Sequence, residues 1–139
     1  MGKIEIILDT NVLYAGLYSS RGASYQILRL IEKGKIKPVL STALLFEYEE
    51  VLKRNKRILK IKENDIESIL DNLCAVSKHQ KIYFLWRPYL SDPKDDLVLE
   101  LAVASGTKTI VTHNIKDFKE INKFGVRAIA PKILLEEIK

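Results

Sequence analysis

The sequence predicts an α/β fold: a single three-layer α/β/α domain with a central, mainly parallel sheet of four to five strands. Three observations predict it. Short apolar runs such as Lys3–Leu8 read as strands covered on both faces. Longer segments between them carry apolar residues at helical spacing, with residues that start and stop helices. The two kinds of segment alternate from end to end, which is the pattern of a parallel sheet with helices on both faces. With 139 residues, 47% hydrophobic and 29% charged, the chain suits one domain over 1–139 with one core.

The elements follow in order. Lys3–Leu8 is the first strand and Asn11–Leu17 a short helical segment. Ala23–Lys33 carries apolar residues at 27, 28, 30 and 31 and is stopped by Gly34. Lys37–Leu40 is a strand, after which Ser41 offers an N-cap for a helix to about Arg54. Asn64 or Asp65 caps a helix to about Ala75, and Lys81–Leu85 reads as a third strand. Asp92 as N-cap with Pro93 at the first helical position starts a helix that Gly106 closes after Ser105. Thr109–Thr112 is a strand, "HNIKDF" a turn into a short helix, and Val126–Ile129 the last strand. Pro131 opens a C-terminal helix.

Composition narrows the function. The N-terminal apolar run holds Glu5 and Asp9, unlike a signal peptide. The run Leu97–Ala104 is too short for a membrane span and contains Glu100. A cytoplasmic protein with no membrane partner is expected. One cysteine, Cys74, gives neither a disulfide framework nor a thiolate zinc site. His79 and His113 lack metal-ligand spacing, so a metal would need oxygen ligands, which favours Mg²⁺ or Mn²⁺. The net charge of +5 is uneven: "KRNKRILKIK", 53–62, carries six basic residues and no acid, as an enzyme acting on a polyanion would want.

Several acids lack a simple surface role. Asp9 ends an apolar strand, where a carboxylate must be hydrogen-bonded, paired or bound to a cation. In "STALLFEYEEVLKR", Leu44, Leu45, Tyr48, Val51 and Leu52 form the apolar stripe. Glu49 and Glu50 reach Lys53 and Arg54 at i+4, whereas Glu47 sits at the stripe's edge with no such partner. In "SDPKDD", Asp95 aligns with Leu99 and Ala102 on a packed face, while Asp96 and Glu100 share the polar face. Asn114 and Asp117 have capping-box spacing. Each acid alone has an ordinary reading as a cap, an Asx turn or a paired half-buried residue. Together they place four carboxylates at one sheet edge, and no Lys or Arg is expected within these motifs to balance them.

These segments together resemble the PIN-domain ribonuclease family, in particular its VapC-like toxin members. The resemblance runs over essentially the whole chain and rests on "ILDTNVL", "STALLFEYEEVLKR", "DPKDDLVLELAVASG" and "TIVTHNIKDF" followed by "GVRAIAP". It implies a PIN-like fold in which Asp9, Glu47, Asp95 and Asp117 are the metal-binding and catalytic acids. Asn11 and Thr112 would be supporting polar groups, and Asp96 and Asp92 second choices for Asp95. Many members carry Asp where this chain has Asn114, which leaves Asn114 a supporting position.

The resemblance implies a Mg²⁺- or Mn²⁺-dependent endoribonuclease, the toxin of a toxin–antitoxin pair, with RNA as substrate, a protein antitoxin as partner and a homodimeric state. Metal-activated water would attack phosphorus in line, leaving a 5′-phosphate and a 3′-hydroxyl. Arg21, Arg54 and Arg57 are candidate RNA contacts. Tyr14 and Tyr18 either stack on bases or pack in the core, and His113 reads as a loop residue beside the site. A dehalogenase-type phosphatase would need an acid where Asn11 stands, and a dinucleotide fold a Gly-rich first turn. The alternative from another class is a catalytically silent RNA- or protein-binding module on the same fold.

Overall fold

A computed structural model describes residues 3–82, 89–90 and 92–138. Among them, five parallel strands form one sheet in the order β3-β2-β1-β4-β5. The strands are β1 Ile4–Leu8, β2 Ile36–Leu40, β3 Lys78–His79, β4 Thr109–Val111 and β5 Arg127–Ile129. The helices are α1 Thr10–Tyr18, α2 Ala23–Glu32, α3 Thr42–Arg54, α4 Lys56–Leu59, α5 Glu63–Val76, α6 Pro93–Ser105 and α7 Pro131–Glu137. Two 3₁₀ turns, Ile115–Phe118 and Ile121–Phe124, lie between β4 and β5. No helix among the described residues is long and apolar enough to cross a membrane.

The sheet grows outward from β1, the most apolar strand. β1 pairs with β2 in the register Ile4↔Ile36 and with β4 in the register Ile7↔Ile110. Ile6 and Ile7 are wholly buried, as a central parallel strand covered by helices on both faces requires. The chain first builds the sheet to one side of β1, then crosses over and builds to the other. The strand order therefore reverses between β1 and β4, and in open parallel sheets the crevice at such a reversal is where ligands bind.

Local signals set most helix ends. The Ser41 hydroxyl accepts from the Leu44 amide (3.1 Å), and Asp92 caps α6 through the Lys94 amide (2.9 Å) with Pro93 behind it. Gly106 closes α6 at φ 75°, in the left-handed region that a β-carbon disfavours. The stripe of α3 buries Leu44, Tyr48 and Leu52.

Four expectations need correction. The third strand is Lys78–His79, pairing Val39↔Lys78 and Leu40↔His79. Of the expected strand Lys81–Leu85, Lys81 and Ile82 are outside any strand and the remainder lies outside the described residues. α5 begins two residues earlier than the Asx signal suggested. Lys62 is its N-cap, and Asp65, in the first turn, accepts from the Lys62 amide at 2.8 Å. The basic run 53–62 holds a further short helix, α4, closed by Lys60 at φ 58°. Asp96 and Glu100 are buried, not on a polar surface, and Asp96 accepts from the Leu90 amide just before α6.

Candidate metal centre

Asp9 follows β1 directly and caps α1. One carboxylate oxygen accepts from the Thr10 amide (2.9 Å), and the other from the Thr112 hydroxyl (2.7 Å). Thr112 is the residue after β4, so this bond spans the point where the strand order reverses. The Asn11 amide donates weakly to Asp9 and to Thr112 (3.4 Å each), and its carbonyl oxygen accepts from the His113 amide (3.2 Å). The Asn114 amide donates to the Thr112 hydroxyl oxygen (3.0 Å). Asn11, Thr112 and Asn114 thus form a polar net that joins the ends of β1 and β4.

Glu47 reaches the same place because of its neighbour. The Tyr48 hydroxyl donates to the Leu8 carbonyl, pinning α3 against the end of β1. With Tyr48 turned into the core, Glu47 stands at the rim with its side chain 12% exposed. The i+4 pairs of its neighbours form as expected, Glu49 with Lys53 (3.3 Å) and Glu50 with Arg54 (2.8 Å). Glu47 instead has Lys94 at 3.9 Å, and Lys94 also lies 3.7 Å from Glu50. This corrects the expectation that the motifs hold no counter-charge. Lys94 sits inside "DPKDD", one residue before Asp95, and the first turn of α6 carries it across to α3.

The adjacent acids of α6 part company. Asp96 is buried and accepts from the Leu90 amide (2.8 Å), so it holds the preceding loop. Asp95 lines a cavity of about 380 Å³ together with Asp9, Glu47 and Asp117. Asn11, Asn114, Tyr14, Asn55, Asp92 and Lys94 share that lining. Asp117 enters from the first 3₁₀ turn, where it is exposed. The capping box expected of Asn114 does not form: Asn114 precedes the turn, but its side chain makes no cap bond.

Crowded acids leave an electrostatic mark. Burial, followed by the charges of Asp9, Asp117, Asp92 and Asp96, pushes the Asp95 carboxyl up to about 7. Burial also raises Asp9, against the Thr112 and Thr10 hydrogen bonds that favour its ionised form. Glu47 is raised by burial, and Lys94 opposes that shift. The donors on this wall are carboxylate oxygens, which suit a hard divalent cation. Among the described residues, no three Asp, Glu, His or Cys side chains already form a compact ligand group. The acids come from separate elements around the cavity, and their mutual repulsion is the property a cation would relieve.

Apart from Tyr14, the remaining sequence candidates lie outside this lining. Arg21 is exposed on the turn between α1 and α2, Arg57 is exposed on α4, and Arg54 is paired with Glu50. The Tyr14 and Tyr18 rings stack at 6.0 Å, with only Tyr14 at the cavity. His113 is tied to the Ser24 hydroxyl at 2.8 Å, which fastens the loop after β4 to α2. Sequence reasoning missed Lys94 and Asn55. Lys94 was visible through its place beside Asp95, whereas no local signal marks Asn55.

Comparisons with known proteins agree with this architecture. A family model described as PIN domain matches residues 5–116. Among solved structures, the chain is similar to one in the crystal structure of VapBC2 from Rickettsia felis bound to a DNA fragment from their promoter. The TM-score is 0.60 at 20% identity, covering 89% of this chain and 96% of that one. No curated protein matches it by sequence.

Proposed function

From the premise that the chain belongs to the PIN-domain family, we propose that it is a divalent-metal-dependent endoribonuclease acting as the toxin of a toxin–antitoxin pair. The observation that carries this reading is the shared cavity. Asp9, Glu47, Asp95 and Asp117, from four separated segments, line one recess at the sheet's reversal point. Burial and, after it, repulsion from the neighbouring acids raise the Asp95 carboxyl, a strain that a cation would relieve.

Asp9, Glu47, Asp95 and Asp117 would hold Mg²⁺ or Mn²⁺. The ion would supply Lewis-acid activation of water and of a phosphate oxygen. The chain's own groups do the rest. Thr112 and Thr10 fix both oxygens of Asp9 before any substrate arrives. The Tyr48 bond to Leu8 keeps α3, and with it Glu47, at a set height over β1. Lys94 neutralises Glu47 and Glu50 in the absence of other cations and stands where it can meet a phosphate oxygen. The likeness to a VapBC2 assembly supports a protein antitoxin as partner, and the family resemblance supports a homodimer in the cytoplasm.

The test is cleavage of pooled, end-labelled single-stranded RNA by wild type and Asp9→Asn with Mg²⁺, Mn²⁺ or EDTA. Metal-dependent cutting that disappears in the variant supports the reading. Cutting that survives EDTA, or an Asp9→Asn protein as active as wild type, overturns the site. No cutting and no metal uptake in titration would favour the silent binding module.

A further inference from the structure

A second recess, of about 540 Å³, opens from the acidic cavity and shares Asp92, Asp95 and Asp117 with it. Its far wall is mainly basic: Lys116, Lys119 and Lys123 stand there with Tyr89 and one acid, Glu120, which lies near enough to act on Lys123. The Tyr89 ring meets Phe124 edge-on at 5.2 Å, and the Lys123 ammonium lies 4.9 Å from its centroid. All three lysines are exposed, and none forms an ion pair with a described residue. The basic run that dominates the sequence behaves differently. There Lys53, Arg54 and Lys56 are already engaged by Glu49, Glu50 and Glu63.

We propose that the Lys116–Lys119–Lys123 recess is a binding groove for single-stranded RNA, taking the strand that runs on from the phosphate held at the acids. The assignment rests on the nuclease reading above and deepens it. Three exposed ammonium groups on one wall beside a carboxylate cavity suit a polyanion whose phosphates reach past the acids. Tyr89 and Phe124 bring aromatic surface to the same wall beside Lys123, the combination of ring and cation that the bases of an unpaired strand can use and those of a duplex cannot. Basic groups engaged by glutamates must release them before meeting a phosphate, a cost that Lys116 and Lys119 do not carry.

The experiment compares wild type with Lys116→Gln/Lys119→Gln/Lys123→Gln and with a charge-matched control, Lys3→Gln/Lys33→Gln/Lys35→Gln. The control lysines are exposed at the opposite, N-terminal end of the strands. Binding of a fluorescent single-stranded RNA is followed by anisotropy across a salt series, and cleavage by KM and kcat. Losing three phosphate contacts should lower the salt slope of log K by about 2. KM should rise about tenfold while kcat holds within about twofold. Tyr89→Leu should raise KM about fivefold or more through lost stacking. If wild type cuts RNA and the groove variant matches the control in slope and KM, the groove is overturned and the nuclease stands. If wild type neither binds nor cuts RNA, both fall.

Discussion

The middle of β1 and its carboxyl end are one residue apart and obey opposite rules. Ile6, Ile7 and Leu8 are dry, fully packed and satisfied by the ladders to β2 and β4. Asp9 is almost as buried, yet burial raises its own proton affinity, and burial together with the Asp9 charge raises that of Asp95. The first region gains stability from burial. The second gives stability up, since Asp9, Glu47 and Asp95 would ionise more readily in water. A parallel sheet makes this division natural, because its strand ends are the place where a dry core must meet a loop crevice. Function is placed where packing stops, and packing is what holds it there.

The largest effect should come from the acidic end. Asp9→Asn should lower metal-dependent RNA cleavage by about 10²–10³-fold, as expected when an electrostatic contact to the reacting phosphate is lost. Its thermal midpoint in EDTA should not fall, because an amide still offers an oxygen and removes a buried charge. A clear fall in that midpoint would make Asp9 part of the packing and erase the contrast.

Next comes the packed side. Ile7→Ala, at a fully buried position of the central strand, should cost about 3 kcal/mol in chemical denaturation. Such a change leaves the acids in place, so metal binding by the folded fraction should persist.

A pH series sharpens the comparison. Burial and the neighbouring acids push the folded Asp95 carboxyl up to about 7 from its ordinary 3.8. The folded state therefore holds this proton more tightly than the unfolded chain. Its contribution is complete below about pH 4 and is lost as the pH rises through 7. The whole shift would be worth about 4 kcal/mol, and partial exposure to solvent reduces this to about 1–2 kcal/mol. Metal-free protein should thus lose stability from pH 4 to 7, and Asp95→Asn should flatten that slope. An unchanged slope in the variant would assign the effect to other groups.

The smallest change tests Lys94. Its ammonium lies within 4 Å of both Glu47 and Glu50 but is half exposed. Lys94→Gln should strengthen Mn²⁺ binding by about threefold in titration calorimetry, since a competing cation is gone. Weaker binding would make Lys94 a group that orders the ligands.

Much of this was legible in the residues. The alternation of apolar strands with helical segments gave the layered parallel architecture, and Ser41, Asp92, Pro93, Gly106 and Pro131 marked helix ends by local chemistry. Those signals act within one turn of chain, so a sequence displays them directly. Third-strand placement was less legible, because Lys78–His79 is exposed and earns its pairing from the edge of β2, not from an apolar pattern.

The candidate site divides in the same way. The sequence by itself determined the supply of carboxylates at strand ends, the unpaired status of Glu47 within its own helix, and the oxygen-only character of any metal set. Only the tertiary structure decided which acids share a cavity: that Asp95 faces it while Asp96 holds the loop at Leu90, and that Lys94 reaches across to α3. It also decided that the prominent basic run 53–62 is partly neutralised while the scattered lysines 116, 119 and 123 share one wall. The physical reason is range. Caps and periodicity are set by neighbours a few residues away, whereas a charge responds to whatever lies within a few ångströms, and only the folded chain brings residues a hundred positions apart to that distance.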